Sequence, residues 1–402
     1  MRLLRFPLSM FAFTLLAVSG LFFTLRAHGQ ASAAPSPGVV AGGFCTYRTG
    51  LLKNSTEAAQ RINQYFGLPA NTPGAEFFHV GISPNTYEWR RTGTLVTVGK
   101  GNKTVQVDFG VAALQQAVGA GGLPGAFSQS ALNPTDMGTG GILGAQALAL
   151  KINQGFSEVF VTPATGFSGL SLVNLDGVAL DGVPLTSTQV AALNGQATLQ
   201  VREAADAALG TGTLPYGLSF SQLTSLIDLL NGSFESCGTS AFAQAHLYQP
   251  YVTSSAFAPN ERRPSTVSIF AYKPAYNAFF GDVVPVLPVS ATDTRRLGCD
   301  SNAYVGFPVG SIALIERGLC TFYQKVSVAR DAGASAAIIF NSAPSAGCPT
   351  VPTLGANNCE ALVGMGATPP FTPLAIPAAF VQRSTGLLLR DGTAPVTAFV
   401  QQ

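Results

Sequence analysis

The chain has 402 residues, room for two or three domains each with its own core. Only 10% of them are Asp, Glu, Lys or Arg, so the folded surface must be polar yet mostly uncharged. Setting aside Arg2, Arg5 and Arg26 of the leader turns the 22 basic residues into 19, against 20 acidic ones. A balance so near zero excludes nucleic acid and an acidic membrane surface as partners.

Arg2 and Arg5 precede the apolar run FPLSMFAFTLLAVSGLFFTL, and small residues follow in QASAAPSPG. That is the layout of a secretory signal over residues 1–33, cut near Ala31 to Ala33. A run of about 20 apolar residues also suits a membrane anchor, so membrane contact is expected only if the leader is retained. The chain is therefore expected outside the cell or at its surface. Residues 34–43 read as a flexible Ala/Pro/Ser/Gly tether.

A first module is expected over 44–247, β-rich at its start and helical at its end. TGTLVTVGKGNKTVQVDFG has two β-rich arms around a Gly/Asn/Lys turn, which predicts a hairpin. In GGILGAQALALKINQGF, Ile142, Ala145, Ala149, Ile152 and Phe156 share a helical stripe whose flanks are almost as apolar, which predicts a helix buried on most sides. TLQVREAADAALG predicts a second helix stopped at Gly210. SFSQLTSLIDLLNGSF predicts a third, capped by Ser219 or Ser221 and facing inward through Leu223, Leu226, Ile227, Leu230 and Phe234. Strands followed by helices, grouped rather than alternating, point to the α+β class. Residues 248–264, with their prolines, serines and small charge cluster, read as a linker to a second module over 265–402.

Cys45, Cys237, Cys299, Cys320, Cys348 and Cys359 are even in number in a chain that looks exported, so three disulfides are expected among fifteen possible connectivities. No CxxC spacing suggests zinc or redox chemistry. Asn54, Asn102 and Asn231 open N-glycosylation triplets.

The second module is the more legible one. Ile312 to Ile315 is an apolar run suited to a buried strand, and Arg317-Gly318 makes a turn. Thr321 can cap a helix whose inner side carries Phe322, Val326, Ala329 and Gly333, with Lys325, Arg330 and Asp331 pointing away, and Ala336 to Phe340 supplies the next strand. Strand, crossover helix and strand form a βαβ-like unit. The full pattern GSIALIERGLCTFYQKVSVARDAGASAAIIFN, Gly310 to Asn341, resembles the protease-associated (PA) domain. Ile376 to Val381 and Ser384 to Leu388 match that family's second signature, so the resemblance covers about residues 265–400. The segment GCPTVPTLGANNCEALVGMGATPP between the signatures departs from the pattern and puts any family ligand surface in doubt at that edge.

The resemblance implies a small β-barrel or sandwich flanked by helices, acting as a lid, a substrate-docking module or a protein-interaction module with no active site of its own. It also implies a Cys299–Cys320 bridge. Proximity then joins Cys348 to Cys359 and leaves Cys45 with Cys237. The first module is similar, through ALQQAVGAGGLPGAF, LGAQALALKINQGF, ATLQVREAADAALGTG and LSFSQLTSLIDLLNGSF, to a module of secreted bacterial surface proteins with no agreed activity.

A PA domain often accompanies a peptidase, and the first module is where one would have to lie. After the leader, the only histidines are His79 and His246, far apart in sequence and without an HExxH pattern. GFSGL at Gly166 to Leu170 is not the nucleophile elbow of a serine hydrolase. Asp176 and Asp181 each precede a glycine; turn formation explains them more simply than calcium binding. Glu88-Trp89 could offer a sugar platform but reads as core. GTGGILG lacks the lysine of a phosphate loop.

The expectation is therefore a secreted, non-enzymatic α+β protein of two domains whose PA domain binds a protein or peptide, with no catalytic residue, no metal ligand and no cofactor. The alternative is an accessory or cryptic hydrolase in which the PA domain recruits a substrate for the first module. A purely structural matrix protein is the third reading.

Overall fold

The computed structural model describes residues 44–66, 77–90, 95–97, 104–106, 111–159, 161–162, 165–267, 278–343, 359–365, 372–393 and 395–401. The expected leader 1–33, the tether 34–43, Asn102 and Cys348 lie outside the described residues. Two helices not anticipated in the sequence come first, α1 (Thr49–Asn54) and α2 (Thr56–Phe66). Ala58, Ile62 and Tyr65 recur at i+4 and i+7 along α2 and are buried, one apolar stripe set against a core. The first module thus opens helical, and its strands follow.

Strands β1 (Phe77–Ile82) and β2 (Asn85–Arg90) form an antiparallel hairpin. The second hairpin, β3 (Leu95–Thr97) with β4 (Thr104–Gln106), lies where the two β-rich arms predict it. After α3 (Val111–Val118), β5 (Ala131–Leu132) runs parallel to β2.

Helix α4 (Gly141–Glu158) is the axis of the module and is buried on nearly all sides. Ala145, Ala149, Ile152 and Phe156 of its expected stripe are buried, and only Ile142, in the first turn, is exposed. Short strands β6 (Ser171–Leu172), β7 (Ala179–Leu180) and β8 (Val183–Pro184) lead to α5 (Ser187–Leu193), which starts with a capping box between Thr186 and Gln189.

Helix α6 (Thr198–Thr211) runs past the expected stop at Gly210 and ends with Gly212 in the left-handed conformation. Gly210 serves close packing instead. A Cβ there would lie 2.1 Å from the Ile82 carbonyl oxygen, so the glycine lets α6 press against β1. Helix α7 (Phe220–Asn231) is capped by Ser219, which closes a capping box with Gln222, and buries Leu223, Leu226, Ile227 and Leu230. Both helices pack on α4. Helix α8 (Ala241–His246) and β9 (Leu247–Tyr248), paired with β6, end the module.

The remaining strands close a seven-stranded mixed barrel, which with the helical first module gives the expected α+β class. They are β10 (Tyr251–Ser254), β11 (Arg263–Val267), β12 (Ala278–Pro285), β13 (Ile312–Glu316), β14 (Ala336–Phe340), β15 (Ala378–Val381) and β16 (Thr397–Gln401). Around the barrel the order is β10-β11-β15-β14-β13-β12-β16, with β12 to β15 parallel in register. The 248–264 stretch read as a linker supplies β10 and the first residues of β11; Pro250 and Pro259 flank β10 and leave its ladder unbroken.

Every residue of β13, β14 and β15 is buried, which is why these strands read as unbroken apolar runs. Alternate residues serve two cores. Ile312, Leu314, Ile338 and Phe340 pack with Val252, Val400 and Leu389, while Ala313, Ile315, Ala337 and Ile339 pack with Val326 and Ala329 of α9 (Phe322–Asp331). Helix α10 (Arg383–Asp391) lies so close to β14 that a Cβ on Gly386 would fall 2.1 Å from Phe340 Cβ. The glycine in the second sequence signature is thus a packing requirement.

Candidate functional site

Cys45 is bonded to Cys237 and Cys299 to Cys320, and Cys359 is also disulfide-bonded. The expected partner of Cys359, Cys348, lies outside the described residues. Asn54 is exposed at the end of α1. Asn231 is not available for a glycan: it is fully buried, its Nδ2 donates to the Gln146 carbonyl and Oε1, and its Oδ1 accepts from Asn153. A sugar on that amide would displace the core of α4 and α7, so intact mass of material from a glycosylating host is expected to show no occupancy at Asn231.

Asp181 and Gly182, both with positive φ, make the two-residue turn between β7 and β8. That geometry is the turn expected of the Asp-Gly step. His79 occupies β1 opposite Glu88 of β2, next to Trp89; their side chains lie outside the described residues. His246 sits at the end of α8 with Nδ1 3.3 Å from the Val173 carbonyl. Among the described residues no group of three His, Cys, Asp or Glu side chains is placed to hold a metal ion.

The charged groups inside the molecule work as fasteners. Lys151 of α4 donates to Asp206 of α6 at 3.0 Å, and the other Asp206 oxygen accepts from the Gly81 N–H at 2.9 Å. One ion pair thus joins α4, α6 and β1. Burial pulls the Lys151 ammonium down to about 8, with Asp206 opposing the shift.

At the end of α4, burial pushes the Glu158 carboxyl up while Arg202 of α6 and Arg317 of the barrel oppose it. Leu362 N donates to Thr165 Oγ1 at 3.3 Å in the same region, so barrel and helical module meet there through polar contacts. At the carboxyl ends of the parallel strands, Arg383 pairs with buried Glu316 at 2.7 Å, and Arg317 donates to Asn341 at 3.2 Å. Each of these charges is engaged, which leaves little capacity for a ligand.

Lys325 corrects an expectation. It does not point away from α9; it is fully buried, and its Nζ donates to the Leu297 carbonyl beneath the Cys299–Cys320 bridge. Burial lowers it to about 8, with Glu316 opposing. The lysine of the sequence pattern therefore pins the 297–299 segment to the barrel.

That segment is the floor of a surface cavity of about 350 Å³. Exposed Leu287, Val289 and Leu319 stand on its rim, buried Leu297 lies below them, and Cys299 and exposed Asp300 complete the lining. The rim is apolar and exposed, at 43% for Leu287, 54% for Val289 and 81% for Leu319, a combination that marks interaction surfaces. Leu319 also holds a φ of 54°, a left-handed conformation costly for a side chain of its size. An exposed apolar side chain kept at that cost, one residue from a disulfide that ties the two walls together, suits a docking role better than a packing one. Sequence reading missed this site, because its walls come together only through the barrel and the Cys299–Cys320 bond.

Comparison with known proteins places this cavity in a PA domain: residues 279–389 match the PA domain family. An aminopeptidase of Pseudomonas aeruginosa is 52% identical over 60 residues, which is 15% of this chain and 11% of that protein. Leucine aminopeptidase 2 of Arthroderma otae is 33% identical over 79 residues, 20% of this chain and 14% of that protein. The matches thus span little more than a tenth of these relatives. Among solved structures, a zinc aminopeptidase from Bacillus subtilis aligns over 38% of this chain and 30% of its own at 18% identity and a TM-score of 0.27. An aminopeptidase from Aneurinibacillus sp. strain AM-1 aligns over 38% and 33% at 20% identity and a TM-score of 0.24. The aminopeptidase relatives overturn the expectation of a non-enzymatic surface protein. That expectation rested on the lack of a local catalytic motif, and such a lack does not decide between classes.

Proposed function

We propose that this chain is an aminopeptidase-related protein acting in peptide hydrolysis, with the barrel docking the protein or peptide substrate. The observation that carries the docking half is the cavity rimmed by exposed Leu287, Val289 and strained Leu319. The hydrolytic half is supported by the 52% identity with the Pseudomonas aeruginosa aminopeptidase over 60 residues. Zinc is named for one solved neighbour. The described residues offer no set of ligands that fits it, so no step of this reading runs through a metal. The disulfides support an extracellular setting, where such bonds persist.

The purified full chain, incubated with leucine-initiated peptides, is expected to bind them and release free leucine, measured by chromatography of the products. Binding without any release would remove the hydrolytic half and leave an accessory docking protein. Absence of both binding and release would overturn the reading.

A further inference from the structure

We infer that the cavity under Leu319 takes the free amino terminus of a peptide whose first side chain is apolar. The inference rests on the docking reading above and names the substrate group. Its first element is shape: Leu287, Val289 and Leu319 stand about an opening that the buried side chain of Leu297 also lines, so one aliphatic side chain finds several apolar contacts there.

The second element is charge. Asp300 lines the same cavity and is exposed. Its Oδ1 accepts from the Asn302 N–H at 2.9 Å, which fixes the carboxylate, while Oδ2 has no protein partner among the described residues. Among those residues no basic side chain lines the cavity. The two arginines nearest in sequence are already engaged: Arg295 grips Asp293 through two bonds of 2.8 and 2.5 Å, and Arg296 donates to the Val286 carbonyl at 2.5 Å. A fixed, unneutralised carboxylate beside an apolar opening complements a ligand with one positive charge close to one apolar side chain. In an unblocked peptide the α-ammonium and the first side chain leave the same carbon, so both can meet a single cavity that Asp300 and Leu297 line together. A lysine carries its charge at the end of a long stem instead.

The third element is the bridge, since Cys299 is in the floor and Cys320 directly follows Leu319. Reduction would free the rim from the floor without touching Asp300.

The test uses the full chain and three short peptides: one starting with leucine and carrying a free amine, the same peptide N-acetylated, and an acetylated peptide with an internal lysine. Binding is read by calorimetry. The free-amine peptide should bind at least about tenfold more tightly than either blocked form, the size of one charge-assisted hydrogen bond. Asp300→Asn should abolish that preference.

Leu319→Gly should fold as well as the parent, because glycine accepts the positive φ, yet bind the free-amine peptide several-fold more weakly. Equal binding of all three peptides, or an unchanged preference in Asp300→Asn, would overturn this inference and leave peptide docking standing. Failure of every peptide to bind would overturn both.

Discussion

Removing the Cys45–Cys237 bridge by serine substitution at both positions is expected to cost about 5 kcal/mol. The bond closes a separation of 192 residues, and the chain entropy it withholds from the unfolded state grows with the logarithm of that length. It also locks a seam that hydrogen bonds and ion pairs span. Thr46 N bonds to the Phe234 carbonyl at 3.0 Å, and Phe234 N bonds to Thr46 Oγ1 at 3.0 Å, holding the first described stretch of chain against the segment that follows α7. The Cys299–Cys320 bridge spans only 21 residues and should cost about 3 kcal/mol when both cysteines become serine. Denaturant titrations of the two double variants would check the order. A smaller loss for the long bridge than for the short one would show that the entropy account does not govern this fold.

Much of the barrel was legible because its physics is local. Strands buried on both faces have to read as apolar runs, and Ile312 to Glu316 and Ala336 to Phe340 do. Thr321 announces one helix start through a bond that reaches only three residues, and Ser219, one of the two caps expected for α7, does the same. The axial helix was equally clear, since its apolar stripe is flanked mostly by small and apolar residues; its buried Gln146, Lys151, Asn153 and Gln154 were not.

What stayed hidden is set by distance along the chain. Asn231 reads as a glycosylation triplet until α4 supplies Gln146 and Asn153 from 85 and 78 residues away. Lys325 reads as a solvated helix residue until the Leu297 carbonyl is folded beneath it. The docking cavity has no motif at all, being the space left when Leu287, Leu297 and Leu319 are brought together. Function was the least legible: the absence of HExxH was informative about one chemistry only, and the aminopeptidase relatives emerged by comparison over 60 to 79 residues.

The Lys151–Asp206 pair yields the second large effect, and its size depends on how it is broken. Lys151→Met leaves Asp206 buried with the Gly81 N–H, and Asp206→Ala removes the carboxylate that the buried ammonium is bonded to; each should cost about 3 to 5 kcal/mol at pH 7. Replacing both with apolar residues, Lys151→Met with Asp206→Leu, should cost less than either single change, because the bonded pair is then removed together; the size of the loss, not its sign, depends on how the pair is broken.

The pH dependence follows from the lysine. An unfolded lysine keeps its proton to about 10.5, whereas buried Lys151 releases it near 8, so between those values the unfolded chain holds more protons and raising the pH favours the fold. Lys325, also lowered to about 8, acts in the same direction. The buried tyrosines oppose this only above their ordinary value of 10.0, where their raised values begin to count. Urea unfolding midpoints should therefore climb from pH 8 to pH 10, by on the order of 1 kcal/mol per pH unit for each lysine. In Lys151→Met the climb should fall by about half. A profile that declines across that window, or one that Lys151→Met leaves unchanged, would mean that the ammonium is solvated in the folded state and that α4, α6 and β1 are held together by packing alone.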